Sequence, residues 1–443
     1  MYQNTVRRKL IGAWVAAILG ALAIFAGGRW YIGVQNPKIA IPNPAMPTPN
    51  AFDKYIQAGE MAKAQAKTIN RLTDSKEDFD LAEARTFVAE HSEMLRLVRA
   101  GLREDCRMPP ARSFYALFPY LAHFRTLAKA FQIEGRVHEA NGDYDSAARS
   151  YTDCIRLGTH VTRGGVLIHG LVGVAVQTIG QRPLWKVVPH LTENAARQAI
   201  ESLRQAEAQT ASTAEILTEE KYFMQAGLLE AFQGQLLQNS FALLTGNESD
   251  TALFSPLRSP DNSWMYAIWS KKQIMANITD IMDQMIASSN QPYHRSNGMI
   301  EPKLEKQMNR DPITAVMMPV FSSTGFVFAR CTAQNHLLMV TLALQAHHKS
   351  TGQYPDSLDE LVTKGYLTHV PTDPFAANAP LRYYRTEFAY TLYSVGPDAG
   401  DDGGTAADRK KEKRPLGAGP VSEASRYQID GLSEGDIVAG INF

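Results

Sequence analysis

The chain has 443 residues, 44% of them hydrophobic and 20% charged, and its 45 Lys+Arg balance its 45 Asp+Glu to a formal net charge of zero. That balance speaks against nucleic acid as a partner, because phosphate neutralisation needs a Lys/Arg excess, and ordinary hydrophobic content at low net charge speaks against disorder. Cys106, Cys154 and Cys331 are too few and too scattered for a disulfide scaffold or a zinc site, with no CxxC pair among them.

Residues 1–32 read as a cytoplasmic basic tip and a transmembrane anchor. Arg7, Arg8 and Lys9 precede an uncharged run, residues 10–28, which at about 1.5 Å per residue approaches the roughly 30 Å hydrocarbon core of a bilayer. The basic cluster stays inside, Arg29, Trp30 and Tyr31 sit at the far interface, and the rest of the chain is expected outside the cytoplasm. A cleaved signal peptide is the alternative, with Ala21, Ala23 and Ala26 as small residues for the cut. Residues 33–50 follow as a linker. Pro37, Pro42, Pro44, Pro47 and Pro49 remove donors and fix φ there, so a semi-rigid spacer is expected to hold the next domain off the membrane. Asn50 then reads as a helix cap, with Phe52, Tyr55 and Ile56 opening an apolar face.

From residue 51 to 320 the pattern is helical. Phe87, His91, Met94, Leu95, Val98 and Leu102 fall on one face, and Leu117, Tyr120, Leu121, Phe124, Leu127, Ala128 and Phe131 do so again. His91 has no second ligand at i+4, so it reads as a core or boundary histidine. Arg96, Arg99, Arg103 and Arg107, beside Glu104 and Asp105, read as a solvated face rather than an anion-binding stripe.

Within residues 131–158, Phe131, Gly135, His138, Gly142, Tyr144, Ala147, Tyr151 and Cys154 follow much of the spacing of a tetratricopeptide repeat. The segment resembles that family, departing from it at His138 and Thr159. The resemblance implies two antiparallel helices that pack on neighbours lacking the signature, forming a helical array whose groove holds peptides or partner helices; a hairpin that merely packs is the competing reading. Residues 163–180, apolar almost all round and containing His169, Gly170 and Gly173, read as a central helix of that array rather than a second span. Pro319, Ser322, Ser323 and Gly325 break the apolar stretch 313–329 into a junction with the last domain, residues 321–443.

In that last domain a helix is followed by Gly352, Tyr354 and Pro355, by Leu358, Leu361 and Val362, by Pro371, Asp373, Pro374 and Phe375, and by Tyr383, Tyr390, Ser394, Gly396 and Asp398. This order resembles the globular head of type II secretion system protein G, the major pseudopilin, over about a quarter of the chain. The resemblance implies a small α+β module, a long helix plus an antiparallel sheet, in a bacterial envelope protein. The residues agree on their own terms. Gly352 and Pro355 end a helix, Ser357 or Asp356 caps a short one, Pro371 and Pro374 forbid regular pairing, and Tyr390, Leu392 and Ser394 alternate as a strand does.

Protein G heads bind calcium in the glycine- and aspartate-rich loop, so the resemblance implies Asp398 as a ligand, with Asp401, Asp402 or Asp436 and nearby carbonyls completing an oxygen cage. An ion-free turn is the alternative, since Asp and Gly are ordinary turn residues. A charged insertion, residues 405–434, separates the loop from Asp436 and departs from the family pattern, as does the missing GFTLxE-like processing site before the anchor. The head is therefore expected as a module of an anchored protein and not as an ordinary pseudopilus subunit.

No HExxH, GxSxG, GxGxxG or Walker sequence is present, and His347 and His348 read as surface residues near the exposed end of their helix. The expected molecule is mostly α: a transmembrane helix, a tetratricopeptide-like array and an α+β head. It is expected in the bacterial inner membrane, single-pass, binding or scaffolding a protein partner outside the cytoplasm, near a secretion or pilus-like apparatus. The competing expectations are an envelope enzyme with a cleft between the array and the head, and a self-assembling pseudopilin-like subunit.

Overall fold

The computed structural model describes residues 2–74, 78–233, 265–293, 302–317, 324–377, 379–387, 389–408 and 426–442, apart from the side chains of residues 2–13, 16, 265, 302, 303 and 316. Most of this chain is helical, with one small antiparallel sheet.

Helix α1, Tyr2–Gly33, is continuous, and Trp14, Val15, Ile18, Leu19, Leu22, Ile24 and Phe25 are all exposed on it. Among the described residues no helix is long and apolar enough to cross a membrane; part of the expected span, at residues 10–13 and 16, lies outside the described side chains. The last turn is docked. Arg29 Nε donates to the Ala267 carbonyl (3.2 Å), and Gly33 lies so close to the Tyr266 carbonyl that a Cβ there would come within 1.8 Å of its oxygen. Residues 34–50 carry no regular structure, as their prolines dictate, but they lie along the body instead of standing away from it. Ile39 packs against an apolar cluster, Arg112 donates to the Pro42 carbonyl (3.1 Å), and Lys271 donates to Asn36 Oδ1 (2.9 Å). Buried Asn50 closes this strap: its Oδ1 accepts from the backbone N–H of Phe52 (3.2 Å), capping the next helix, and from that of Arg107 (3.1 Å), while Nδ2 donates to the Arg107 carbonyl (2.9 Å).

Helices α2 (Ala51–Lys63), α3 (Ala66–Thr73), α4 (Leu81–Glu90), α5 (Ser92–Gly101) and α6 (Leu121–Ala140) bury one core around Tyr55, Phe124 and Phe131. The continuous stripe expected from Phe87 to Leu102 breaks at His91, which ends α4 and starts α5 with φ −110° and ψ 18°. Its ring stacks on Phe87, and its Nδ1 lies 2.8 Å from the Phe87 carbonyl, which also accepts from the His91 backbone N–H (3.0 Å).

Helix α7 (Tyr144–Thr162) returns antiparallel to α6 through Gly142, at φ +75°, and Asp143, whose carboxylate accepts from Ser146 N (3.0 Å). Helix α8 (Leu167–Val187) crosses α7 with backbones nearly touching: a Cβ on Gly158 would lie 2.6 Å from the Gly173 carbonyl oxygen, and one on Gly173 would lie 2.7 Å from that of Gly158. Helices α9 (Glu193–Gln209) and α10 (Thr213–Phe232) extend the layer. After α11 (Met265–Ile268), α12 (Lys271–Ser289) runs antiparallel to α10, since Lys271 reaches the Phe232 carbonyl while Lys221 pairs with Asp283. Helices α13 (Pro302–Met308) and α14 (Pro312–Met317) lie beside it.

Helix α15 (Thr324–Thr351) and the short α16 (Leu358–Thr363) precede β1 (Arg382–Arg385), β2 (Tyr390–Ser394) and β3 (Ile437–Val438), which pair antiparallel in that order with Tyr383 opposite Leu392 and Ser394 opposite Ile437. The boundary expected near residue 320 does not divide the core. Leu184, Val187 and Leu203 of the array share one apolar cluster with Leu337, Leu338 and Leu342 of α15 and with Phe375, Leu392 and Ile437. Helix α15 is thus buried around most of its girth, with the sheet on one side and α8 and α9 on the other. Amides knit the seam, Gln181 Nε2 donating to Asn335 Oδ1 (2.7 Å) and Asn335 Nδ2 to Gln177 Oε1 (2.9 Å). All three cysteines are free and buried, and burial pushes the thiols of Cys106 and Cys331 up to about 12, which keeps them protonated.

Candidate functional site

The aspartate loop comes together around β2 and β3. Positive φ at Gly396, Gly403, Gly404 and Gly435 curls the backbone so that its N–H groups meet the carboxylates. Asp398 accepts from Gly400 N and Gly435 N, both at 3.1 Å. Asp401 accepts from the Tyr393 hydroxyl (2.8 Å), Gly403 N (3.1 Å) and Arg382 Nε (3.2 Å), and the Tyr393 bond holds its carboxyl below the usual range. Asp436 is buried and accepts from Gly404 N (2.7 Å) and, at 3.4 Å, from Asp402 N. Burial, reinforced by the charges of Asp402 and Asp401, raises its carboxyl to about 6.

Among the described residues no group of three or more His, Cys, Asp or Glu side chains stands together to hold a metal. Three of the carboxylates expected to form an oxygen cage, Asp398, Asp401 and Asp436, already accept from nearby donors, while Asp402 is exposed and contributes its backbone N–H to Asp436, so a calcium ion would compete with those bonds. Calcium binding here stays a proposal. Most of the charged insertion, residues 409–425, lies outside the described residues.

Other residues singled out by sequence have structural duties. Arg99, expected on a solvated face, pairs with Glu134 and with Asp153 (2.7 Å), and Arg107 and Arg112 both grip Glu219 (2.7 and 2.9 Å). Arg96, by contrast, makes only the local exposed pair with Glu93. His347, expected on the surface, is buried, with Nδ1 2.9 Å from the Gln353 carbonyl, while His348 stacks on Tyr354. His169 Nε2 lies 2.8 Å from the Tyr120 hydroxyl, and His160 bridges the Tyr55 hydroxyl (2.7 Å) and Gln209 (3.0 Å); burial lowers both imidazoles to about 4. Glu220, which no pattern marked, is buried with only Leu167 N (2.8 Å) at its carboxylate, capping α8 from another helix, and burial raises it to about 7.

A cavity of about 610 Å³ opens between the array and the head, where the enzyme reading places its cleft. Its walls are the start of α10, the end of α12 with residues 290–293, α13, the first two turns of α15 and residues 372–376. Leu217, Met285, Leu304, Met308 and Phe328 supply apolar surface, and Gln284, Ser288, Asn290, Gln291 and Thr332 supply amides and hydroxyls. Among the described residues the lining holds no Lys, Arg, His or Glu, and one carboxylate, Asp373. That group is 2% exposed and wholly engaged: Oδ1 accepts from Phe375 N (3.0 Å) and the Ser394 hydroxyl (2.7 Å), and Oδ2 from Val395 N (2.9 Å). A lining of this kind can enclose and hydrogen-bond a ligand, but among the described residues it offers no acid–base pair and no activated nucleophile. Compared with family models, with curated proteins and with solved structures, the chain matches none, and its function has to be argued from this geometry.

Proposed function

We propose that this protein is anchored in a bacterial inner membrane by residues 10–28 and works outside the cytoplasm as a binding or scaffolding protein for another protein. The observation that supports the reading is α1, a continuous helix on which Trp14, Val15, Ile18, Leu19, Leu22, Ile24 and Phe25 are exposed, following Arg7, Arg8 and Lys9 in the sequence. Aliphatic and aromatic side chains around a helix in water are unfavourable by about 25 cal/mol per Å² each, whereas a bilayer covers them on every side. The tetratricopeptide-like hairpin supports a role in binding polypeptide, and the resemblance of residues 331–443 to the head of protein G supports a place in the envelope near a secretion or pilus-like apparatus. The described lining of the cavity supports binding, since its one carboxylate is a staple and its other polar groups are amides and hydroxyls.

The test is a pair of fusions at the C-terminus, one to alkaline phosphatase and one to a green fluorescent protein, combined with carbonate extraction of membranes. An active phosphatase, a dark fluorophore and a carbonate-resistant chain support the reading. Release by carbonate, or the reverse fusion pattern, overturns it, and a mature N-terminus just after Ala23 or Ala26 replaces the anchor with a cleaved signal.

A further inference from the structure

We propose that α11 is a second membrane contact, with Ile268 set into the headgroup layer beside α1 and Lys38 and Lys272 resting on anionic phospholipid. This deepens the proposed function by stating how the body meets the bilayer, and it rests on the anchor in residues 10–28. The level of α11 follows from the last turn of α1. Arg29 Nε donates to the Ala267 carbonyl (3.2 Å), and Gly33 packs on the Tyr266 backbone. The expected span ends at residue 28, so at about 1.5 Å per residue both contacts fall within about 8 Å of the hydrocarbon edge, which is the depth of the headgroup layer.

Helix α11 is fixed to the body on both sides of the residue it exposes. The Tyr266 ring meets Phe232 of α10 edge-on at 6.0 Å, and Lys271 Nζ, which donates to the Phe232 carbonyl (2.6 Å), lies 5.1 Å from the centre of the Tyr266 ring. Trp269 Nε1 donates to the Arg310 carbonyl (3.1 Å). Ile268 between them is 51% exposed. A lone exposed isoleucine is ordinary on a protein surface, but this one stands at the level of exposed Trp30, Tyr31 and Ile32 of α1. Aliphatic side chains among aromatic rings with polar edges are the composition of a membrane interface.

Charge selects the lipid. Residues 29–50 and 265–273 contain Arg29, Lys38, Lys271 and Lys272 and neither Asp nor Glu, in a chain whose formal net charge is zero. Arg29 and Lys271 donate to carbonyl oxygens of the protein, whereas Lys38 and Lys272 are exposed. Glu230 and Asp311, in the segments that hold Phe232 and Arg310, are already engaged: Glu230 accepts from the Ser113 hydroxyl (2.6 Å), and buried Asp311 from Thr314 N (2.8 Å). Anionic headgroups complement the exposed lysines while the acyl boundary covers Ile268, the pairing of forces by which interfacial helices bind.

The test places an environment-sensitive fluorophore on one introduced cysteine of the full chain, reconstituted in nanodiscs of phosphatidylcholine with or without phosphatidylglycerol. The three native thiols are buried and stay unlabelled. Ile268→Cys reads α11, Ile24→Cys reads the anchor, and Ala89→Cys, exposed on α4, reads water; circular dichroism matching the parent confirms that each labelled chain is folded. Nitroxide lipids labelled near the headgroup should quench the Ile268 site at least about twofold more than the Ala89 site, and more strongly with phosphatidylglycerol present. Adding Lys272→Glu should remove about half of that gain. Quenching at the Ile268 site no greater than at Ala89, while deep nitroxides quench the Ile24 site, overturns the inference and leaves the anchor standing. Equal quenching at the Ile268 site in both lipids and with Lys272→Glu overturns it as well. Quenching at the Ile268 site with none at Ile24 removes the anchor and supports α11 as a membrane contact in its own right.

Discussion

Replacing Asp373 by alanine removes a staple between residues 372–376 and the end of β2. Its carboxylate accepts three hydrogen bonds, from Phe375 N at 3.0 Å, Ser394 Oγ at 2.7 Å and Val395 N at 2.9 Å, with the side chain 2% exposed. Bonds to a charged acceptor contribute roughly 1.5–3 kcal/mol each, and the substitution leaves two buried N–H groups without acceptors; the desolvation of the carboxylate, relieved at the same time, offsets part of the loss. The expected net destabilisation is about 3–5 kcal/mol. Asp373→Asn keeps one acceptor oxygen but turns an amide donor toward Val395 N, so it should cost about 1–3 kcal/mol, and Ser394→Ala, which removes a single donor, about 1 kcal/mol. Urea unfolding followed by far-ultraviolet circular dichroism measures all three, and the double variant Asp373→Ala/Ser394→Ala should be less destabilised than the sum of the singles. A loss under about 1 kcal/mol for Asp373→Ala would refute the reasoning and leave the burial of Phe375 as what holds this wall.

Gly173→Ala should destabilise by about 1–3 kcal/mol despite the better helix propensity of alanine, because the added Cβ meets the Gly158 carbonyl; a more stable variant in the same urea assay means that the helices separate at little cost. Glu220 binds its proton more tightly folded, near 7, than unfolded, so its contribution to stability falls as pH rises from about 4.5 to about 7 and remains a penalty above that window. Glu220→Gln retains the acceptor for Leu167 N and removes the charge, so it should match the parent at pH 5 and exceed it at pH 8; equal curves across that range contradict the account. Calcium competes with Arg382, Gly403 and Gly435 for the carboxylates of the aspartate loop, so a calcium-dependent rise in melting temperature should begin only near about 1 mM and vanish in Asp398→Ala. Saturation at micromolar calcium means a loop already open to the ion, and no shift at about 10 mM removes calcium from the proposal.

Local chemistry was readable in the sequence where one short segment decides the outcome. Asn50 caps α2 and Gly142 with Asp143 turns α6 into α7, because a cap needs only its own side chain and the next few N–H groups. The break at His91 was not readable, since its apolar neighbours keep helical spacing on both sides of it. The shared core of array and head was hidden for a different reason: the apolar girth of α15 says that it is covered, not that α8 and α9 supply one of the covers. Asp398 was recognisable as a loop residue, yet the donor that closes it, Gly435 N, is distant in sequence and follows the insertion. The cavity left no trace, because its polar lining consists of Ser, Thr, Asn and Gln, which are ordinary surface residues until the fold brings five segments together.

The docked strap has a consequence for a chain held by α1. A free proline-rich leash lets a domain sample every azimuth and height above the bilayer; here Arg29, Gly33, Asn36, Pro42 and Asn50 clamp the path from the helix to the body. The cavity lies at the far end of α12 from that clamp, and the 19 residues of α12 make the separation about 28 Å. On the proposed anchoring, the clamp would carry the body at a set elevation, and a partner fixed in the same membrane would need to search only a plane, with orientation already largely restricted before the two meet.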